Sequence, residues 1–148
     1  MAEELRWAII GTGFISNTVA EAIAASPGSQ IELVSGRDAG RVAEFAERYR
    51  IARTCVGFAD AVTDPDIDVA YVGTPNHTHH DVVTAAAAAG KAVLSEKSLT
   101  TTMATAHELV DAVRDKVFFV EGLMYLAHPV MQRFVDLLSE ERTGTGTA

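Results

Sequence analysis

Cysteine and basic residues are scarce in this sequence. Cys55 is the only cysteine among 148 residues, so an internal disulfide framework is excluded. We interpret Cys55 as a small buried side chain rather than a reactive thiol. Only 12 Lys and Arg stand against 20 Asp and Glu, and the net charge of −8 argues against nucleic-acid binding. A bound polyphosphate would therefore need a local source of positive potential.

Long apolar stretches are missing as well. No run of residues is long enough to span a bilayer, and the acidic start MAEELRWAII lacks the apolar core of a signal peptide. We therefore expect no membrane partner and predict a cytoplasmic location. Hydrophobic residues nevertheless make up 48% of the chain, which is enough for the core of one globular domain.

Strand-like and helix-like segments alternate along the chain. The predicted strands are 7–10, 31–36, 53–56, 68–73, 92–95 and 116–122. The predicted helices are 15–25, 42–49, 59–63, 79–89, a segment capped by Thr101 or Thr102, and 129–138. Nearly continuous apolar strands joined by helices predict a doubly wound α/β Rossmann fold with a mostly parallel six-stranded sheet. We assign residues 1–138 to this domain, and we predict that the polar segment 139–148 is a disordered or weakly ordered tail.

The segment IIGTGFIS joins the first strand to the first helix. Gly11 permits a tight turn, and Gly13 permits a pyrophosphate to approach the backbone. The N-terminus of the following helix offers unpaired N–H groups and a positive dipole end. This context predicts a dinucleotide site rather than a plain structural turn. Its predicted residues are Gly11, Thr12, Gly13, Phe14 and Ile15. Ser16 takes the place of the third glycine, where a small residue still permits close helix packing.

The second strand ends in SGRD. At this point an acidic residue binds the ribose 2′-hydroxyl of NAD, whereas an arginine accommodates the 2′-phosphate of NADP. Guanidinium groups bind phosphate well, so Arg37 and Arg41 favour NADP over NAD. Two alternatives stay open: Asp38 can turn inward and serve NAD, and the arginines can be solvated surface charges. The predicted cofactor-binding residues here are Gly36, Arg37, Asp38 and Arg41.

The segment GTPNHTHH follows the fourth strand, where the crevice of such a sheet lies. The predicted cofactor-binding residues of this loop are Thr74, Pro75, Asn76 and His79. Three histidines within four residues suggest a metal site, but no cysteine or suitably spaced carboxylate accompanies them, so we predict none. We expect His79 to face the crevice, and His77 and His80 to cap a helix or face solvent.

Four segments, taken in order, resemble the N-terminal half of the Gfo/Idh/MocA family of NAD(P)-dependent oxidoreductases. They are GTGFIS, SGRD, TPNHTHHDVVTAAAAAGKAVLSEKS and VEGLMYLAHP, and together they cover nearly the whole chain. The most specific part is AGKxVLxEK after TPNxxH. The resemblance implies hydride transfer between nicotinamide and a hydroxyl-bearing substrate of the sugar, polyol or dihydrodiol type.

In this family the fifth strand ends in a Glu-Lys-Pro motif at the nicotinamide. The resemblance implies that Glu96 approaches the nicotinamide ribose and that Lys97, as the catalytic residue, contacts the substrate hydroxyl. Oxidation of an alcohol requires such a proton acceptor within hydrogen-bond reach. The alternative is a surface pair that merely ends a strand. Ser98 replaces the proline of the motif, and because a cis bond before a non-proline residue is costly, we predict a trans Lys97–Ser98 bond.

Family members continue into an open-faced β-sheet domain that supplies most of the substrate pocket. We therefore expect a truncated NAD(P)-binding domain, weakly active or inactive alone, that meets a small-molecule substrate only if a second domain is supplied. The alternatives are an enzyme that borrows this domain from another chain, and a non-catalytic nucleotide-binding or interaction module. Apolar side chains of the last helix would lose their cover, which predicts a homodimer through this helix or the neighbouring sheet edge. These are Val130, Phe134, Leu137 and Leu138.

Overall fold

The computed structural model describes residues 4–139. The strands are β1 Leu5–Ile10, β2 Ser29–Gly36, β3 Arg53–Val56, β4 Val69–Val72, β5 Ala92–Ser95 and β6 Phe119–Glu121. The helices are α1 Phe14–Ala24, α2 Ala39–Tyr49, α3 Ala59–Thr63, α4 His79–Ala88, α5 Met103–Val113 and α6 Pro129–Ser139. Single 3-10 turns lie at Asn76–Thr78 and Met124–Ala127. Each predicted strand and helix is confirmed, with shifted ends; the predicted tail begins at the last residue of α6, and its residues 140–148 lie outside the described residues.

The six strands form one sheet in the order β3-β2-β1-β4-β5-β6. Every neighbouring pair is parallel, so the predicted doubly wound Rossmann fold is confirmed. The strand order reverses between β1 and β4. Loops leaving the carboxyl ends of these two strands therefore diverge and open a crevice between them.

Both faces of the sheet are covered, which explains the continuous apolar strands. Successive strand residues point to opposite faces. In β1, Ala8 and Ile10 join the core on one face, and Ile9 joins the core on the other. All four residues of β4 are buried. On α2, the predicted stripe is buried at Val42, Phe45 and Ala46.

Two smaller predictions concern Thr102 and Cys55. Of the two predicted caps, Thr102 begins α5: its side chain accepts a hydrogen bond from the backbone N–H of Thr105. Cys55 is half-buried, and burial raises the pKa of its thiol, which agrees with an inert side chain.

Within residues 4–139, no helix is long and apolar enough to cross a membrane.

An ion pair joins β1 to the residue before β4 at the amino-terminal ends of these strands. The Arg6 guanidinium donates to both carboxylate oxygens of Asp68 at 2.9 and 3.0 Å, and the backbone N–H of Arg6 donates to the same carboxylate at 2.9 Å. These hydrogen bonds lower the pKa of Asp68 from 3.8 to about 2. The pair therefore stabilises the fold above the ordinary pKa, and this contribution is lost as the pH falls toward 2.

We expect Asp68→Asn to lower the free energy of unfolding at neutral pH and to flatten its decline between pH 4 and pH 2. The reason is that the asparagine side chain does not titrate in this range. Urea unfolding at a series of pH values measures the effect. The control is Asp66→Asn, since the side chain of Asp66 is 65% exposed beside the same arginine. An equal acid dependence in both variants would contradict the role of Asp68.

Candidate functional site

A groove of about 590 Å³ opens at the carboxyl ends of β1, β2 and β4. Ten residues line it: Gly11, Thr12, Gly13, Gly36, Arg37, Asp38, Arg41, Gly73, Thr74 and Pro75. All of them except Gly73 are residues that the sequence predicted to bind a cofactor. The three loops thus meet at one edge of the sheet, as parallel strands require.

Gly11 is a glycine because the fold requires one. Its φ is +107°, and a Cβ at this position would lie 2.5 Å from the backbone oxygen of Gly73. Its N–H donates to the Ser35 oxygen at 2.8 Å. The first turn therefore crosses directly over the loop that follows β4. This close approach also explains why Gly73 belongs to the groove, although the sequence analysis did not include it among the site residues.

Gly13, in contrast, is not required by the fold. Its φ is −75°, which any residue adopts, and a Cβ would meet only the Gly73 oxygen at 3.9 Å. The position lines the groove and is the N-cap of α1, where no side chain accepts a hydrogen bond from the helix. Bare helix N–H groups beside an open α-carbon fit a pyrophosphate. Phe14 follows, with an 88% exposed side chain outside the groove lining.

The end of β2 supplies the positive charge that the acidic chain otherwise lacks. Asp38 is the N-cap of α2, and its carboxylate accepts from the backbone N–H of Arg41 at 2.9 Å. The Arg41 guanidinium donates to the Thr12 oxygen at 3.3 Å and so lies against the glycine loop. Arg37 is exposed on the groove. Both arginines thus line the groove, and the carboxylate of Asp38 caps a helix there.

A second cavity of about 320 Å³ adjoins the groove and shares Gly73 and Thr74 with it. Its lining residues are Ile15, Gly73, Thr74, Asn76, Glu96, Lys97 and Met124. The cavity brings together the predicted residues of the first, fourth and fifth strand ends. Met124 was not among the predicted site residues, and its one signal in the sequence was its place just after β6.

Glu96 and Lys97 lie at this cavity without pairing. The backbone N–H of Glu96 donates to the Val72 oxygen at 2.9 Å, and the Tyr71 hydroxyl donates to its carboxylate at 3.3 Å. Lys97 is exposed at the cavity. Among the described residues, the two side chains form no ion pair with each other. This arrangement leaves the side-chain nitrogen of Lys97 accessible to a ligand.

The predicted trans bond between Lys97 and Ser98 is wrong, because the structure has this bond in the cis form. The prediction considered only the intrinsic preference of a peptide bond. In the fold, the Ser98 oxygen lies 2.9 Å from Nδ1 of His79, so the position of this carbonyl group depends on a residue 19 positions away.

The expectation that His79 faces the crevice is also wrong. Its side chain is 0% exposed. Nε2 lies 2.8 Å from the Thr74 oxygen, while Nδ1 contacts the Ser98 oxygen, so the ring joins the loops after β4 and β5. His79 begins α4, and side chains in the first turn of a helix point back toward the preceding segment. It therefore supports the cavity instead of lining it.

The other two histidines lie on the outside of the molecule. His77 is exposed, and His80 pairs with Glu108 at 3.2 Å and with Asp81 at 3.1 Å. Within residues 4–139, no group of three or more His, Cys, Asp or Glu residues is arranged to hold a metal ion.

Comparison with known protein sequences agrees with this geometry. The model of the oxidoreductase family with an NAD-binding Rossmann fold matches residues 5–121. The chain is 32% identical over 143 residues to trans-1,2-dihydrobenzene-1,2-diol dehydrogenase of Mus musculus and 35% identical over 142 residues to that of Xenopus laevis. These alignments cover 95% and 94% of this chain but only 43% of each relative.

Solved structures give the same result. The chain matches the 3-ketoreductase KijD10 of Actinomadura kijaniata, in complex with NADP and TDP-benzene, with a TM-score of 0.84 and 29% identity over 93% of this chain and 43% of that one. It matches levoglucosan dehydrogenase, in complex with NADH and levoglucosan, with a TM-score of 0.88 and 28% identity over 96% of this chain and 41% of that one. The chain therefore belongs to the Gfo/Idh/MocA oxidoreductase family, as its NAD-binding Rossmann domain.

Proposed function

We propose that this chain binds NADP in preference to NAD, as the cofactor domain of an oxidoreductase. The observation that carries the proposal is the groove, in which an open α-carbon at Gly13 adjoins bare helix N–H groups and two arginines. A pyrophosphate fits the glycine loop, and a 2′-phosphate fits the guanidinium groups of Arg37 and Arg41. Asp38 caps α2 with its carboxylate, and this favours the phosphorylated cofactor.

The second cavity suits the nicotinamide half of the cofactor. When bound, the nicotinamide ring supplies the hydride chemistry. Glu96 would orient the ribose by accepting from its hydroxyl groups, and Asn76 would offer its amide to the same sugar. Lys97, as the neutral amine, would accept the proton of the substrate hydroxyl during oxidation, and as the ammonium it would return that proton during reduction. Protein groups thus position the reactants and move one proton.

We propose a hydroxyl-bearing substrate of the sugar, polyol or dihydrodiol type. The relatives named above include a dihydrodiol dehydrogenase, a 3-ketoreductase and a levoglucosan dehydrogenase. The cavity beside Lys97 is open, and the chain spans 43% of the curated relatives that it matches. We therefore propose that substrate binding needs a second domain and that the chain alone turns over weakly or not at all.

Calorimetric titration with NADPH and NADH tests this function. We expect NADPH to bind about tenfold or more tightly than NADH, because a hydrogen bond to a charged group contributes about 1.5–3 kcal/mol. Binding of neither nucleotide would refute the proposal and leave a non-catalytic module. Substrate-dependent reduction of NADP at an ordinary enzymatic rate would instead contradict the expected inactivity of the isolated chain.

We also propose that a second copy of the chain covers the surface formed by the 3-10 turn Met124–Ala127 and α6. No residue of α6 is buried. The exposed apolar side chains are Met124, Tyr125, Leu126, Val130, Phe134, Val135 and Leu138. Strand β6 is an edge of the sheet; its residue Val120 and the preceding Phe118 are exposed as well. An unpaired strand beside an apolar helix favours self-association.

Light scattering coupled to size-exclusion chromatography measures this association. We expect a dimer for the chain and a monomer for Phe134→Asp, because a charge on an apolar interface is costly to bury. The control is Glu108→Lys, an exposed charge change on α5. A monomeric wild-type chain at high concentration would contradict the dimer.

The cytoplasmic location stays a prediction, supported by the single cysteine.

A further inference from the structure

We propose that Ser16, Tyr71 and Glu96 form a positioning chain that joins the phosphate end of the site to its nicotinamide end. Ser16 and Tyr71 lie beneath the site and line neither cavity. They would act through Glu96, and so they are positioning residues. The inference rests on the proposed function, since it assigns Glu96 to the bound nucleotide.

Tyr71 is the centre of this chain. It lies on β4 with 0% exposure, and its hydroxyl donates to Oε1 of Glu96 at 3.3 Å. Burial, and then the negative charge of Glu96, raise the pKa of Tyr71 above its ordinary value of 10.0. The phenol therefore keeps its proton across the physiological range. It is a permanent donor, which favours one orientation of the carboxylate.

Ser16 connects Tyr71 to the helix that begins at the phosphate loop. It lies in the first turn of α1 with 0% exposure, and its hydroxyl makes no hydrogen bond of standard geometry to any described residue. The Tyr71 phenol is its neighbour across the position of Gly73. Both hydroxyl oxygens lie within 2.9 Å of the point where a Cβ on Gly73 would be.

The absence of a side chain at Gly122 leaves room for Glu96. A Cβ on Gly122 would lie 3.5 Å from Oε1 of Glu96 and 3.3 Å from the Ser95 oxygen. Oε1 accepts from the Tyr71 hydroxyl. The other carboxylate oxygen, Oε2, accepts no hydrogen bond from the described residues and remains for a ribose hydroxyl.

Ser16 occupies the position where the dinucleotide fingerprint has its third glycine. A glycine there permits close packing but has no hydroxyl group. With serine, a hydroxyl group in the first turn of α1 lies beside the Tyr71 phenol, which in turn donates to Glu96. Fixing Glu96 before the ligand arrives reduces the ordering cost of binding. Serine in place of the third glycine would therefore assist binding at the nicotinamide end of the cofactor.

Calorimetry with two ligands separates this role from a general structural one. NADPH occupies both halves of the site, whereas 2′,5′-ADP occupies only the phosphate and adenosine half. We expect Tyr71→Phe to weaken NADPH binding about three- to tenfold, the value of one lost hydrogen bond, and to leave 2′,5′-ADP binding unchanged. The fluorescence increase of bound NADPH, which reports on the nicotinamide, should be smaller in this variant.

A double-mutant cycle with Glu96→Ala completes the test. If Tyr71 acts through Glu96, Tyr71→Phe causes no further loss of NADPH affinity in the Glu96→Ala background. Ser16→Ala, a second and smaller change, should show the same selective loss. Circular dichroism confirms that each variant is folded.

Three results would overturn the inference. They are unchanged NADPH affinity in Tyr71→Phe, an equal loss for both ligands, and additive losses in the cycle. If the unaltered chain binds neither ligand, the proposed function fails and the inference fails with it. Normal NADPH binding by the unaltered chain together with any of the three results overturns the inference alone.

Discussion

Alanine at Gly13 should strongly weaken nucleotide binding and leave the fold intact. The nearest protein atom to the added methyl group is 3.9 Å away, so the structure itself accommodates it. The methyl group would stand at the N-cap of α1, where the pyrophosphate has to approach the helix N–H groups. We expect NADPH affinity to fall about hundredfold or more, which corresponds to about 2.7 kcal/mol.

Gly11→Ala is the matched variant, and we expect it to destabilise the fold. Its methyl group would lie 2.5 Å from the backbone oxygen of Gly73, at a φ of +107° that side chains rarely adopt. We therefore expect a loss of about 3 kcal/mol or more in the free energy of unfolding, because both a clash and backbone strain arise. The free energy of unfolding of Gly13→Ala should stay within about 1 kcal/mol of the wild type.

Calorimetry with NADPH and urea unfolding, both applied to each variant, distinguish the two glycines. Wild-type affinity in Gly13→Ala would mean that no phosphate approaches this helix end. Wild-type stability in Gly11→Ala would mean that the turn can move away from the loop after β4. Either result would contradict the role that we assign to the glycine concerned.

The second large effect concerns the choice of cofactor. We expect Arg37→Ala to weaken NADPH binding about 10- to 100-fold while NADH affinity changes less than about twofold. The cause is the loss of a charge-assisted contact to the 2′-phosphate, a group that NADH lacks. Arg41 is a less selective target, since its guanidinium also donates to the Thr12 oxygen and thereby supports the glycine loop.

Arg114→Ala is the control for a change in net charge. Arg114 is exposed at the end of α5 and lines neither cavity. Its removal should leave both affinities unchanged, because exposed charges far from the ligand are screened by salt. If Arg37→Ala weakened the affinities for NADPH and NADH equally, Arg37 would not contact the 2′-phosphate. A loss in Arg114→Ala equal to that in Arg37→Ala would point to the overall field of the protein.

Local sequence patterns were enough to predict the fold and the groove. A strand buried on both faces has to be apolar throughout, and β4 shows this in four consecutive buried residues. Glycine at Gly11 and arginine at Arg37 follow strand ends directly, so their place at the carboxyl edge depends only on the parallel arrangement of the sheet. Nine of the predicted cofactor residues accordingly line the groove.

Contacts between distant segments decided what the sequence did not. His79 was expected at the crevice, yet its ring is buried between the oxygens of Thr74 and Ser98. The contact of Tyr71 with Glu96 likewise depends on the pairing of β4 with β5. No local rule carries that information.

The sequence by itself therefore determined the alternation of strands and helices along the chain, the glycine turn after β1 and the family. These features depend on short-range periodicity and on single residues at strand ends. Only the tertiary structure decided which polar side chains are withdrawn from the site and support it from below, as with His79 and Tyr71. The reason is physical: burial and hydrogen bonding are properties of pairs of segments, and residues 71 and 96 become neighbours only when β4 and β5 are paired.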